Sequence, residues 1–331
     1  MWSSKNKHTL FFAIVFFVAI VVIWKCYWRI QIMYNSSILS LYTPDSFNIP
    51  LQYIATHNAI TKTGFQLMKE KTIVICSLLR DVEVKLPEIE KRAENLGKMF
   101  RDYRILIVEN DSLDNTRKYL LNWTNRNARV TILGCGENVK SCSLSNAAKK
   151  TYGHSVDRQR IEKMTRLRNI YLEYVKMNLN QFDYLAVWDL DIVGTVYLDG
   201  VANTIGHFEK MPDTDAICAY GIYRWGLFTL YYDTYAHIDK SDKFHIDMKL
   251  IHDLKKGFGV KYKRGTPPVE VTSCFSGFTI YRISSLRPNY IIYDMTPKNE
   301  GNLECEHVRL HTKLNKIYMN PSMIHFVLLN D

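Results

Sequence analysis

The stretch Phe182-Asp183-Tyr184-Leu185-Ala186-Val187-Trp188-Asp189-Leu190-Asp191 decides how this chain is read. A mostly apolar run of strand length ends in two carboxylates spaced two positions apart. Side chains of a strand alternate with period two, so Asp189 and Asp191 emerge on the same side. Hard oxygen ligands placed that way suit Mg²⁺ or Mn²⁺, and a cation held there neutralises a nucleotide diphosphate. The plain alternative is a strand-end turn with two solvated acids, because D-x-D triplets also arise by chance.

Upstream, Thr72–Leu79 is a largely apolar run that reads as a buried parallel strand. Leu86, Ile89, Ala93, Leu96, Met99 and Phe100 then recur near the 3.6 period of an amphipathic helix, and Tyr103–Val108 is a second strand. This is a βαβ unit, whose right-handed crossover brings both strand C-termini to one edge. The second strand runs into Glu109-Asn110-Asp111-Ser112-Leu113-Asp114-Asn115-Thr116. Acidic and small residues at that edge are where such sheets bind ligands, although a helix cap at Asp114 explains the same letters without one.

A third strand is expected over Arg129–Leu133, followed by a helix over 157–178. Its buried face is Ile161, Met164, Leu167, Ile170, Tyr171, Tyr174 and Val175, and its cations include Arg158, Arg160, Arg166 and Arg168. Beyond the acidic pair come short strand-like pieces, Ala216–Tyr223, Cys274–Tyr281 and Lys316–Met319, with a helical piece at Ile246–Lys256. These predict a mixed α/β half built onto the same sheet.

The N-terminus is different in kind. No residue from Thr9 to Trp24 is charged and Leu10–Ile23 is wholly apolar. With Lys25 and Arg29 snorkelling and Tyr27 and Trp28 at the interface, residues 9–29 are expected to span a membrane. Trp24-Lys25-Cys26-Tyr27-Trp28 lacks the small residues of a cleavage site, so the segment reads as an uncleaved anchor binding membrane lipid. Residues 1–8 would be cytosolic and the rest lumenal, a type II arrangement in an ER/Golgi-type compartment. Residues 30–70, with Pro44, Pro50 and polar clusters, read as an irregular stem.

The 331 residues are 47% hydrophobic and 23% charged, as in an enzyme-sized globular domain. A net charge of +10 would suit nucleic acid, but the cations are spread along the chain and an anionic donor explains them equally well, so no nucleic-acid partner is expected. Of seven cysteines, Cys135 and Cys142 close a short loop and are a plausible disulfide in an oxidising lumen. No C-x-x-C pair supports zinc. Sequons begin at Asn35, Asn110 and Asn122, with Asn35 the best placed for a glycan.

The order of these elements resembles a GT-A glycosyltransferase: a first strand, the E-N-D-S-x-D-x-T segment, the Arg166-Leu167-Arg168-Asn169 element and then D-x-D. The chain is more specifically similar to the fungal capsule-associated α-1,3-mannosyltransferase family. The matching stretches are Met164–Asn169, Tyr232-Asp233-Thr234-Tyr235-Ala236, Val271–Phe278 and Leu303-Glu304-Cys305-Glu306, within about residues 72–325. The family's S-C-W-N-G stands here as Ser273-Cys274-Phe275-Ser276-Gly277.

That resemblance implies an α/β, GT-A-like fold after one transmembrane helix. Its catalytic domain, 71–331, would join a Rossmann-like nucleotide-sugar half, 71–199, to an acceptor half, 200–331, on a mixed sheet. It implies that Glu109 and Asp111 hold base and ribose, that Arg166 or Arg168 faces the diphosphate with Arg80 nearby, and that Asp189 and Asp191 bind Mn²⁺ or Mg²⁺. His311 or His307 would be a further metal or diphosphate contact, unless both lie on a helix surface at i and i+4. Asp233 or Glu306 would be a base for the acceptor hydroxyl or, if configuration is retained, would only orient it. Gly277, Phe278, Trp225 and Phe228 would form an acceptor wall or simply core.

The function expected is transfer of a hexose, mannose among the candidates, from GDP-mannose or a UDP-sugar to a glycan or glycoprotein acceptor. The alternative is a non-catalytic lumenal protein that binds carbohydrate or a partner. A nucleotidyltransferase is disfavoured because no glycine-rich phosphate loop follows the first strand.

Overall fold

The computed structural model describes residues 13–23, 42–44, 47–134, 158–225, 228–240, 257, 259–297 and 303–328. Residues 13–23 form helix α1, and among the described residues no helix is long and apolar enough to cross a membrane. The flanks of the expected span, 9–12 and 24–29, lie outside the described residues, as do the helix expected at Ile246–Lys256, Asn35, and Cys135 and Cys142.

The expected βαβ unit forms from β1 (Thr72–Leu79), a 3₁₀ turn (Glu83–Lys85), α3 (Leu86–Gly97) and β2 (Asp102–Glu109). Leu86, Ile89, Ala93 and Leu96 are all at most 1% exposed against the sheet. At roughly 2 kcal/mol for each large side chain removed from water, that stripe is what holds the crossover down. Helix α4 (Thr116–Arg126) and β3 (Val130–Gly134) follow, then α5 (Arg158–Asn178) and β4 (Tyr184–Trp188).

β1 pairs in parallel with β2 on one side and β4 on the other, while β3 extends the parallel set beyond β2. Chain order therefore reverses between β1 and β4. This opens a crevice beyond the strand C-termini, the place where such sheets bind ligands.

The second half contributes β5 (Gly194–Val196), α6 (Leu198–Lys210), β6 (Ala216–Trp225), β7 (Phe228–Tyr231), β8 (Ile238–Asp239), β9 (Val269–Ser273), β10 (Phe278–Arg282), α7 (Ile283–Leu286), α8 (Glu306–His311) and β11 (Ile317–Val327). All eleven strands join one sheet, in the order β3-β2-β1-β4-β10-β6-β11-β9-β8, with β5 on β11 and β7 on β6. β10 runs antiparallel to both β4 and β6, so the sheet is mixed. A buried apolar layer covers each face of it.

Three expectations need correction. Residues 51–68, read as irregular stem, form helix α2 (Leu51–Met68), which buries His57, Ile60, Thr61, Gly64 and Met68. It packs on α6, and Gly64 lies so close to the Ala202 carbonyl that any side chain there would clash. The strand expected at Cys274–Tyr281 begins only at Phe278, because Ser276 (φ 56°) and Gly277 (φ 73°) turn the chain. The strand expected to end at Met319 continues through Pro321 to Val327, with a register shift between Asn320 and Ile324 that absorbs the proline.

A disulfide joins Cys218 on β6 to Cys274 in the turn before β10. Spacing along the chain gave no sign of this pair, since 56 residues separate them. Cys76 and Cys305 are buried free thiols.

Candidate active site at the strand C-termini

Asp189 and Asp191 follow β4 into the crevice, each half-buried, with Leu190 fully buried between them. The pair lies just past the strand, which ends at Trp188, and Leu190 and Asp191 form a turn in which the Ile192 N–H donates to the Asp189 carbonyl at 3.1 Å. The Asp189 N–H donates to the Gly277 carbonyl at 2.9 Å, and the Leu190 N–H to Ser77 Oγ at 3.3 Å. The acidic pair is thereby tied to β1 and to the turn before β10.

Arg168, on α5, is 2% exposed. Its Nε donates to Glu306 Oε1 at 2.8 Å and a terminal nitrogen to Asp189 Oδ1 at 3.3 Å. The guanidinium lies 5.1 Å from the ring centroid of Phe275 and 6.0 Å from that of Tyr293. Burial disfavours its charge, but the surrounding acids and tyrosines outweigh that and raise its pKa well above the ordinary value. Arg166, two positions along the same helix, points outward and pairs with Glu162 at 2.6 Å. Of the two, Arg168 therefore lies with the acidic pair and Arg166 on the outer face of the helix.

Asp233 completes the cluster. It sits at φ 71°, in the left-handed region, and its Oδ2 accepts from the Ser276 N–H at 2.9 Å. The turn at Ser276–Gly277 therefore touches both Asp233 and Asp189. His325 on β11 holds it from behind, with Nδ1 2.6 Å from the Ser276 carbonyl. A Cβ on Gly277 would lie 2.8 Å from His325 Cε1, so the position needs glycine for space as well as for its φ.

These acids share one neighbourhood and act on one another. Burial first, then the charges of Asp191, Asp233 and Glu306, push the Asp189 carboxyl up to about 7, against the pull of Arg168. Burial likewise raises Asp191, which Lys85 draws back. Asp233 is pushed up to about 6 by burial, with Glu306 adding to it. Four carboxylates gather near the buried Arg168 guanidinium, with Lys85 and Arg92 also acting on Asp191, so acids outnumber cations in the crevice.

Other expected residues are placed differently. Glu109 is fully buried and caps its own loop, accepting from the Ser112 N–H at 2.6 Å and from Arg117 Nε at 3.1 Å. Its expected contact with base or ribose is therefore corrected, because both oxygens face protein. Asp111 (φ 50°) is partly exposed, 3.5 Å from Arg117. Arg80 pairs with Asp81 at 3.3 Å on the same rim. Lys163, which the sequence reading passed over among the many cations of α5, belongs to this rim. Burial and Arg80 lower its pKa, and Asp111 and Asp81 raise it.

His311 is also corrected. Its Nδ1 lies 2.9 Å from Ser273 Oγ and its Nε2 2.8 Å from the Tyr281 hydroxyl. Both ring nitrogens are engaged within the core, and burial lowers the imidazole pKa to about 3. His307 stacks on Phe275 with ring centroids 3.6 Å apart. The two histidines do lie on one helix, but on its buried face. Phe228 is exposed and Phe278 is core, while the Trp225 side chain lies outside the described residues. Phe275, which stands at the tryptophan position of the S-C-W-N-G stretch, and Tyr293, which the sequence reading did not name, frame Arg168.

With a mixed α/β sheet and an acidic, arginine-bearing crevice at its strand C-termini, the chain is glycosyltransferase-like by the family whose model it matches. The chain belongs to the family described as cryptococcal mannosyltransferase 1, whose profile matches residues 72–310. Membership of that family supports a transferase. Among solved structures the chain is similar to S. aureus TarS 1–349, at 12% identity and TM-score 0.44, covering 77% of this chain and 60% of that one. A TarS structure in complex with UDP-GlcNAc matches at 12% identity and TM-score 0.44, covering 78% of this chain and 59% of that one. The mannosyltransferase PcManGT from Pyrobaculum calidifontis, in complex with GDP-Man and Mn²⁺, matches at 10% identity and TM-score 0.41, covering 83% of this chain and 66% of that one. The chain spans about 60% of the length of the TarS structure it matches. No curated protein matches it.

Proposed function

We propose that this protein is a metal-dependent glycosyltransferase that moves a hexose, with mannose the first candidate, from GDP-mannose or a UDP-sugar to a glycan or glycoprotein acceptor. The observation that carries the reading is the excess of carboxylate around Arg168, placed in the crevice between β1 and β4. Acids brought together in a half-buried site repel one another, and a cation relieves that repulsion.

Among the described residues no three His, Cys, Asp or Glu side chains converge to hold a metal by themselves. Mg²⁺ and Mn²⁺ do not need three, since such ions are commonly held by one or two carboxylates plus substrate phosphates and water. Asp189 and Asp191 fit that pattern. When bound, the ion would supply positive charge where the leaving diphosphate gains negative charge.

The chain's own residues divide the remaining work. Arg168 fixes Asp189 and Glu306 and adds permanent positive charge behind the acidic pair. Glu306 is 5% exposed and bonded to Arg168, so it serves as counter-ion instead of base. Asp233, raised to about 6, suits orientation of the acceptor hydroxyl or uptake of its proton near neutral pH. Asp111, Arg80 and Lys163 line the rim where the nucleotide would lie.

The anchor at residues 9–29 and a lumenal, type II placement are part of the same proposal. They rest on the uncharged Thr9–Trp24 run, and the Cys218–Cys274 disulfide supports an oxidising compartment.

Full-length protein is expected to show a Mn²⁺-dependent thermal shift with one nucleotide sugar and to release the free nucleotide from it. Asp191→Ala, still folded, should lose both. Unchanged donor binding and hydrolysis in that variant would remove the metal assignment. If no nucleotide sugar gives a shift even with Mn²⁺, the non-catalytic binding protein replaces the enzyme.

A further inference from the structure

Beneath the acidic pair lies a second pair of cations, whose charges reach Asp191 but whose hydrogen bonds go elsewhere than to the acids. Arg92, on α3, is 3% exposed, and its hydrogen bonds go to main-chain carbonyls of the segment after β4. It donates to the carbonyls of Leu190 at 2.6 Å, Gly194 at 3.0 Å and Ile192 at 3.4 Å. Lys85, at the end of the 3₁₀ turn, donates to the Asp191 carbonyl at 2.8 Å. Two cations from the βαβ crossover therefore hold the carbonyls of residues 190, 191, 192 and 194.

The arrangement is costly for the fold alone. A buried guanidinium loses several kcal/mol of hydration, and carbonyl dipoles compensate less well than a contacting carboxylate. Arg92 Nε is buried with no hydrogen-bond partner among the described residues, which adds to the cost. The apolar stripe of α3 would seat the helix without it. What the guanidinium adds is geometry. Its planar fork reaches three carbonyls at once and fixes the peptide plane before Asp191 through the Leu190 carbonyl, while Lys85 holds the plane after it. The face of Trp188, 5.9 Å from its carbon centre, limits the guanidinium's own freedom.

We propose that Arg92, assisted by Lys85, is a positioning residue that presents the Asp189 and Asp191 carboxylates to a divalent cation by clamping the backbone between and after them. The inference rests on the metal reading of that pair. It assigns to the βαβ crossover a role besides packing, because the helix that joins β1 to β2 also sets the shape of the segment leaving β4.

The test is titration of the full-length chain with Mn²⁺ alone, read by the electron paramagnetic resonance signal of the free ion, beside the thermal midpoint. Arg92→Lys keeps the charge but cannot span three carbonyls. It is expected to weaken Mn²⁺ binding roughly 10-fold, as loss of a residue supporting a metal ligand does, with only a small change in midpoint. Lys85→Met, at a more open position and with a single carbonyl to hold, should also weaken it, by less than Arg92→Lys does. In turnover assays both should raise the Mn²⁺ concentration needed for half-maximal rate while leaving kcat at saturating Mn²⁺ close to wild type, a split that general loosening of the fold would not give.

Asp191→Asn separates the two ideas. If it weakens Mn²⁺ binding while Arg92→Lys and Lys85→Met do not, the clamp is refuted and the metal pair stands. If Asp191→Asn is also without effect, the metal pair falls and the clamp with it. Should Arg92→Lys fail to fold, Lys85→Met alone decides.

Discussion

Replacing Arg168 with methionine probes the centre of the site. The substitution keeps much of the volume between Phe275 and Tyr293 but removes the bonds to Glu306 at 2.8 Å and Asp189 at 3.3 Å. Glu306, 5% exposed, is left as a buried charge without its cation. Removing one partner of a buried pair costs about 3–5 kcal/mol. For a domain of this size class that is a fall on the order of 10 °C in the thermal midpoint.

The loss should depend on pH, and its sign follows from Asp189. In the wild type its carboxyl already stands at about 7, with Arg168 pulling it down. Without Arg168 it moves further above the unfolded value of about 4, so across that window the native state binds a proton that the unfolded chain does not. Stability contributed by such a group is present at low pH and is lost as pH rises through the folded value. The deficit of Arg168→Met is thus smaller at pH 5.5 than at pH 8. Urea unfolding at the two pH values, with Arg168→Lys as a control that retains charge without the fork, measures it. A midpoint within 2 °C of wild type, or an equal loss at both pH values, would refute the charge-compensation argument.

Three further outcomes follow from the same structure. His311→Ala should cost about 2–4 kcal/mol through a cavity and the lost bonds to Ser273 and Tyr281, yet leave Mn²⁺ affinity unchanged; weakened Mn²⁺ binding at intact stability would restore it as a ligand. Reducing Cys218–Cys274, or replacing both with serine, frees a 56-residue separation and should cost about 4 kcal/mol in urea unfolding, with no loss counting against the bond's role as a constraint. Because Asp189 is raised to about 7, its own contribution falls as pH rises from about 4 to about 7, while buried histidines such as His311, lowered to about 3, contribute the opposite trend; metal-free Asp189→Asn should therefore gain stability relative to the wild type across that range. A difference in thermal midpoint between Asp189→Asn and wild type that stays constant across that range would contradict that environment.

The parallel half of the sheet was legible because its signals are local. β1 and β2 are apolar runs, α3 has a clean 3.6 period, and the apolar run before Asp189 has strand length. The second half was read less well. Helix α2 was taken for stem because its sequence, Leu51–Met68, has a weak amphipathic stripe and rich polar content; it is ordered by contact with α6 across Gly64 and Gly206. The turn before β10 looked like strand because Cys274 and Phe275 suit one, and only the left-handed Ser276 and Gly277 break it.

The site shows the same division. Asp189 and Asp191 were singled out by their spacing, and Arg166 and Arg168 by the R-x-R-N element of the resemblance, while burial shows which of the two arginines meets Asp189. Glu109 and His311 were misjudged, since sequence specifies a titratable group without specifying what it faces. Sequence alone determined the βαβ frame, the D-x-D strand end, the basic helix and the family, because each is written in residues close together along the chain. Tertiary structure decided which charges meet. Arg168 with Glu306, Cys218 with Cys274, and Arg92 with the carbonyls after Asp189 are pairings across 138, 56 and about 100 positions, fixed by sheet order and burial that no local pattern encodes.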